Sequence, residues 1–201
     1  VRKDPAHEHT LIEGWIQRDV AADLFRRAGL DFDTLKKEAQ TRDFKPVELK
    51  GVGFSADYAV SSQVITSHNV VGRIEGAKRP NETVIYSGHW DHLGIGAPDA
   101  RGDRINNGAV DSATGIAALI EMGRAFAHGM RPDRSIVFLA VTAEEKGLLG
   151  SEYYAANPLY PLASTVAVLN MDALSPWGPT RDFSISGSAK LDLRDRLIVD
   201  A

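Results

Sequence analysis

Apolar runs of strand length, alternating with a helix-length amphipathic segment, constrain this chain more than any other feature. Residues 135–141 form an apolar run rich in β-branched side chains, as a strand covered on both faces requires. Residues 165–169 read the same way, and residues 83–87 form a further strand. Between them, residues 113–127 repeat apolar side chains at Ile116, Leu119 and Ile120, the spacing of a helix packed on a sheet. Such alternation predicts a layered α/β domain. Its strands and its helix are each flanked by a short string bearing histidine or carboxylates: Gly88-His89-Trp90-Asp91, Asp111-Ser112, Glu144-Glu145 and Asn170-Met171-Asp172. The ends of strands are where α/β proteins place their chemistry.

The rest of the chain reads less regularly. Residues 11–17 are expected as a short strand, and Asp19 is expected to cap a helix through Asp33, with Val20, Leu24 and Ala28 on one face and an interruption at Gly29. A second helical piece, residues 34–41, should end near Pro46. From 47 to 67 the pattern weakens, and Gly51 and Gly53 point to a linker or a β-excursion. Residues 69–75 then form a strand and 78–81 a polar turn into the strand at 83–87, so these two strands are predicted to be antiparallel neighbours. Residues 94–108 are a loop rich in Gly, Asp, Asn and Arg. Residues 148–156 look helical up to Asn157-Pro158, 183–186 are expected to start a further strand, and 190–201 look helical. The expected division is residues 1–45 as an accessory piece with its linker and 46–201 as the larger domain.

Composition removes several classes. With no cysteine, a disulfide framework and thiolate metal sites are excluded, and with a net charge of -4 there is no basic footprint for nucleic acid. No stretch approaches the ~18 consecutive apolar residues that span a bilayer, and Val1-Arg2-Lys3-Asp4 opens without a hydrophobic leader.

Histidine and carboxylates are the side chains that bind a divalent cation when cysteine is absent. His89 and Asp172, at the ends of two strands, suit one cation, and Asp111 can use its second oxygen to bridge to another. Adjacent residues leaving a strand can point different ways, so of Glu144 and Glu145 one can bind metal while the other faces a bound water as general base. Asp91, two residues past His89, is placed to accept the imidazole N–H and fix its tautomer. Converging carboxylates would repel one another without cations and raise one another's pKa values.

The strings Ser87-Gly88-His89-Trp90-Asp91-His92-Leu93-Gly94, Asn107-Gly108-Ala109-Val110-Asp111-Ser112-Ala113-Thr114-Gly115, Thr142-Ala143-Glu144-Glu145-Lys146-Gly147-Leu148-Leu149-Gly150-Ser151 and Asn170-Met171-Asp172 occur in this order. In that they resemble the M28 family of di-zinc aminopeptidases, over roughly residues 68–190. The resemblance implies a three-layer α/β/α sandwich around a mixed, mainly parallel sheet, two zinc ions and peptide substrates. It also implies roles: His89 and Asp172 on one zinc, Asp111 bridging, Glu145 on the second zinc, Glu144 as general base and Asp91 supporting His89. Glu13-Gly14-Trp15-Ile16-Gln17 and the helix after it are similar to the end of a protease-associated domain. Family members are often exported, which implies a secreted or periplasmic protein.

The family's second zinc takes a histidine well downstream of Asn-Met-Asp, and no histidine occurs here after His128. The expectation is therefore a chain cut at both ends, with only Asp111 and Glu145 at the second metal, an incomplete sheet with exposed apolar surface, and weak or absent activity. Glutamate-type carboxypeptidases and glutaminyl cyclases share the architecture. A silent binding or receptor module would have lost ligands, and every ligand expected within this span is present. His92 is assigned a supporting or structural role, His7, His9, His68 and His128 the surface, and Asp99 and Asp103 solvation rather than calcium, since no EF-hand spacing is present. Asn81-Glu82-Thr83 matches a glycosylation sequon short enough to arise by chance.

Overall fold

The structure is a computed structural model that describes residues 14–59, 61, 63–175 and 178. It divides between Ile65 and Thr66 into two compact units.

The N-terminal unit carries two helices, α1 (Arg18–Arg27) and α2 (Phe32–Glu38). Asp19 in the first turn of α1 and Arg26 and Arg27 in its last complement the helix dipole. The helix stops before Gly29, whose φ of 74° suits a residue without a Cβ. The capping carboxylate belongs to Asp31 rather than Asp19: it accepts the Thr34 N–H at 2.7 Å and so starts α2 two residues earlier than the apolar pattern suggested. Phe25 and Phe32 meet edge to face at 5.2 Å, and Arg18 pairs with Asp33 at 2.6 Å, fixing the two helices on each other. Residues 14–17 form no strand, and 11–13 lie outside the described residues. No strand forms among the described residues of 47–67, in keeping with a linker.

The second unit is built on a sheet of four strands in the order β1-β5-β2-β6. These are β1 (Val70–Ile74), β2 (Arg79–His89), β5 (Arg134–Val141) and β6 (Thr165–Asn170). β2 runs parallel to both β5 and β6, and β1 lies antiparallel on the far side of β5, so the sheet is mixed and mainly parallel. A small antiparallel pair, β3 (Gly94–Ile95) and β4 (Ile105–Asn106), forms within the loop expected at 94–108.

One expectation fails here: β1 and β2 are not neighbours, because β5 lies between them. The segment joining them does not turn tightly but crosses the start of β5. Ala77 N–H bonds Pro132 O at 2.7 Å, and Lys78 and Arg79 N–H both reach Asp133 O. Ser135, fully buried, clamps this crossing: its hydroxyl accepts the Gly76 N–H at 3.1 Å and donates to Pro80 O at 2.7 Å. A Cβ on Gly76 would lie 2.7 Å from Asp133 O, so only glycine passes.

Period-two alternation sorts the sheet into two covered faces. On one, Ile85, Val137, Leu139 and Val141 pack with Tyr154 of α4 (Leu149–Ala156). On the other, Tyr86 and Phe138 stack at 6.2 Å and Phe126 of α3 (Ala113–His128) lies within 6.3 Å of both. Helices on both faces give the three layers expected. β6 is an edge strand among the described residues, with Val166 and Val168 exposed. The segments expected at 183–186 and 190–201 lie outside the described residues.

Candidate metal centre

Because β2, β5 and β6 are parallel, their C-terminal ends share one edge of the sheet. Pairing continues past the strands: Trp90 N–H bonds Val141 O at 3.0 Å and Met171 N–H bonds Ser87 O at 2.8 Å. This brings His89, Glu144-Glu145 and Asp172 level. Asp111 arrives from the start of α3, which approaches closely because Gly115 has no side chain: a Cβ there would collide with Met171 O. The Asp111–Ser112 peptide bond is cis. Two residues bordering the acids hold left-handed backbone, Ala143 with φ 52° and Ala173 with φ 46°. Such conformations are uncommon outside glycine and cluster at functional sites.

His89 is 2% exposed and forms the floor of the site. Its Nε2 lies 2.8 Å from Asp111 Oδ1, 3.2 Å from Asp172 Oδ1 and 3.8 Å from Glu144 Oε2. Its Nδ1 meets the main-chain carbonyl of Asp91 at 2.9 Å, whereas the Asp91 carboxylate stands 3.8 Å away. That carboxylate instead accepts the N–H groups of Glu144 at 3.0 Å and Glu145 at 3.3 Å, and so fixes the turn that follows β5. Asn69 secures the same turn from the other side, accepting Thr142 N–H at 3.0 Å and donating to Gly150 O at 2.8 Å.

Donor atoms of His89, Asp111 and Asp172 all lie within 4.8 Å of one another, and so do those of His92, Asp111 and Glu145. Asp111 is common to both groups. His92, expected in a supporting or structural role, lies beside Glu145 and Asp111 in the second group. His92 Nδ1 faces Glu145 Oε1 at 2.5 Å, so the two buried atoms pair with each other. Imidazole and carboxylate donors gathered within this reach around a shared Asp111 fit a divalent cation.

The electrostatics follow from the crowding. Burial pulls the His89 imidazole down, but the Asp91 carbonyl on Nδ1 and the charges of Asp172 and Glu144 outweigh it and leave its pKa above the ordinary value. Burial pushes the Glu144 carboxyl up against the opposing pull of His89, and Asp172, Glu145 and Asp111 push it further. Glu144 also borders an apolar cavity of about 310 Å³ lined by Ile85, Leu139, Leu148, Tyr154 and Val168. Asp99, by contrast, is spent on its own loop: it accepts the N–H groups of Arg101 and Asp103, which lowers its pKa.

A mainly parallel sheet that gathers two histidines and several carboxylates at the ends of its parallel strands defines an α/β protein organised around a carboxylate and imidazole centre. The chain belongs to peptidase family M28, whose model matches residues 69–200. It is 36% identical over 103 residues to a probable zinc metalloprotease of Pyrenophora teres f. teres, covering 51% of this chain and 22% of that protein. It is 38% identical over 116 residues to the aminopeptidase NAALADL1 of Mus musculus, covering 53% of this chain and 14% of that protein. The chain thus spans less than a quarter of the length of these relatives. Among solved structures, a zinc aminopeptidase from Bacillus subtilis shares 27% identity at a TM-score of 0.42, covering 52% of this chain and 24% of that one. A peptidase M28 precursor from Shewanella amazonensis shares 26% identity at a TM-score of 0.46, covering 54% and 22%.

Proposed function

We propose that this chain carries the metal centre of a zinc-dependent aminopeptidase, which removes N-terminal residues from peptides with Glu144 as general base. In this reading His89 and Asp172 would hold one zinc, Glu145 would hold a second, and Asp111 would serve both. The observation that carries it is the convergence of His89, Asp111 and Asp172 within 4.8 Å at one sheet edge. The names of the similar proteins, a zinc metalloprotease and an aminopeptidase, supply the metal and the reaction class.

Bound zinc would supply Lewis acidity, to a water and to the scissile carbonyl. The protein's own part is to hold and move protons. Glu144 takes a proton from the attacking water and returns it to the departing amine, and its raised pKa brings it nearer the working pH that a general acid–base residue needs. The Asp91 carboxylate holds the Glu144 and Glu145 main chain still during this exchange. The Asp91 carbonyl on Nδ1 fixes the His89 tautomer, leaving Nε2 free for metal.

In the full-length protein, Glu144→Gln should retain zinc and lose about 10²–10⁴-fold in kcat on aminoacyl chromophore substrates. Equal rates for parent and variant would sink the assignment of the base. A parent that binds no zinc would sink the metallopeptidase reading itself.

A further inference from the structure

We propose that a cavity at the far edge of the sheet, beside Arg73 and Tyr160, binds a small carboxylate with an apolar body, the chemical type of a peptide's C-terminal residue. The inference is independent of the metal centre and of the metallopeptidase reading.

The cavity, of about 530 Å³, lies where β1 ends, β2 begins and the chain enters β6. Thr83 lines it, and the run of β2 from Thr83 to His89 spans about 20 Å, so it is separate from the metal centre. Pro80, Pro161, Ala163 and the Tyr160 ring give it apolar walls, and no residue that lines it carries a carboxylate.

Arg73 selects the ligand. Its guanidinium carbon stands 5.2 Å from the centre of the Tyr160 ring, and Nη2 donates to Pro80 O at 2.8 Å and to Ser135 Oγ at 3.0 Å. These contacts hold the cation in place, while Nε and Nη1 donate to no described residue. The other cations of this edge are already paired: Lys78 with Asp133, Arg131 with Glu75, and Arg79 and Arg134 both with Glu82. Among the described residues Arg73 has no carboxylate. Cations outnumber carboxylates here, the reverse of the metal-binding edge, and an anion on Arg73 complements that charge. An anionic group beside an apolar body fits this cation and these walls together, whereas inorganic phosphate would leave the prolines and Tyr160 without contact. The competing account gives Arg73 the sole task of bracing the crossing from β1 to β2 through Pro80 and Ser135.

The two accounts separate in ligand binding by nitrogen-labelled protein supplied with zinc. The probe is N-acetyl-leucine, which has a carboxylate and an apolar body but no free amine, with N-acetyl-leucine amide and inorganic phosphate as comparisons. N-acetyl-leucine should bind saturably at millimolar concentration and shift the Arg73 Nε–H resonance. The amide and phosphate should bind at least about 10-fold more weakly, the scale of one hydrogen bond to a charged group. Arg73→Gln should weaken the acid by a similar factor. Ala163→Trp, which fills the cavity from an exposed position and leaves Arg73 in place, should abolish binding even if Arg73→Gln folds poorly. Arg124→Gln, on the exposed side of α3, should leave binding unchanged. Equal binding of acid and amide, phosphate binding as tight as the acid, full binding in Ala163→Trp, or shifts confined to the segment around His89 would overturn the inference. So would no binding at all, and none of these outcomes bears on the metallopeptidase reading.

Discussion

Asp91 acts through two different groups, and its substitutions separate them. Its carbonyl holds the His89 ring, while its carboxylate, mostly buried, holds the Glu144 and Glu145 main chain. Asp91→Ala should remove the second contact only, at a cost of about 2 kcal/mol for hydrogen bonds to a charged acceptor. Thermal melting should register that loss, zinc affinity should fall with it, and Asp91→Asn, which keeps one acceptor oxygen, should lose less. Equal stability of all three proteins would show that the turn holds itself. His89 gives a pH dependence of definite sign. Its folded-state pKa lies above the ordinary value, despite burial, because of the Asp91 carbonyl and the charges of Asp172 and Glu144. In the metal-free chain its contribution to stability is therefore complete below about pH 6.5, the unfolded value, and is lost as pH rises through the folded value. Zinc binds the neutral ring, so apparent zinc affinity should climb across the same window. A titration in which affinity is flat from pH 5 to about pH 8 would contradict this.

Elements whose apolar pattern is long and bounded were legible: α3, α4, β5 and β6 lie within a residue or two of where the pattern put them. The order of strands was not, because a polar turn of short length looks like a hairpin whether or not the chain crosses another strand. Gly76, which makes the crossing over β5 possible, carries no pattern at all. In the N-terminal unit the apolar pattern pointed to Asp19 as the cap of a helix through Asp33, whereas the chain breaks at Gly29 and Asp31 caps a separate helix. The acids of the site were legible because each follows a strand or precedes a helix, whereas the place of His92 depends on a loop held by Gly108. Packing predictions belong at this scale. Gly115→Ala forces a Cβ against Met171 O and Ser112 Oγ, between the segments that carry Asp111 and Asp172. It should cost about 2 kcal/mol in urea unfolding and weaken zinc binding together with stability. Leu139→Ala, in the opposite layer beside Tyr154, should cost about 3 kcal/mol in the same assay, by leaving a cavity in the core.

At the scale of the molecule, one sheet edge concentrates negative charge that only cations offset. Asp111, Asp172, Glu144 and Glu145 all approach His89 or His92, so bound cations should add to the stability of the folded chain. Calorimetry with zinc in excess of its dissociation constant by about 100-fold should show a gain near 2.7 kcal/mol over chelated protein, and no shift in melting temperature would argue against a site in the folded state. Among the described residues no helix is long and apolar enough to cross a membrane. The most direct test of the account is anomalous diffraction at the zinc edge from crystals of the zinc-loaded protein. The account predicts a peak about 2.0–2.2 Å from His89 Nε2 and from carboxylate oxygens of Asp111 and Asp172. Zinc bound elsewhere, with His89 still facing Asp111 directly, would contradict it.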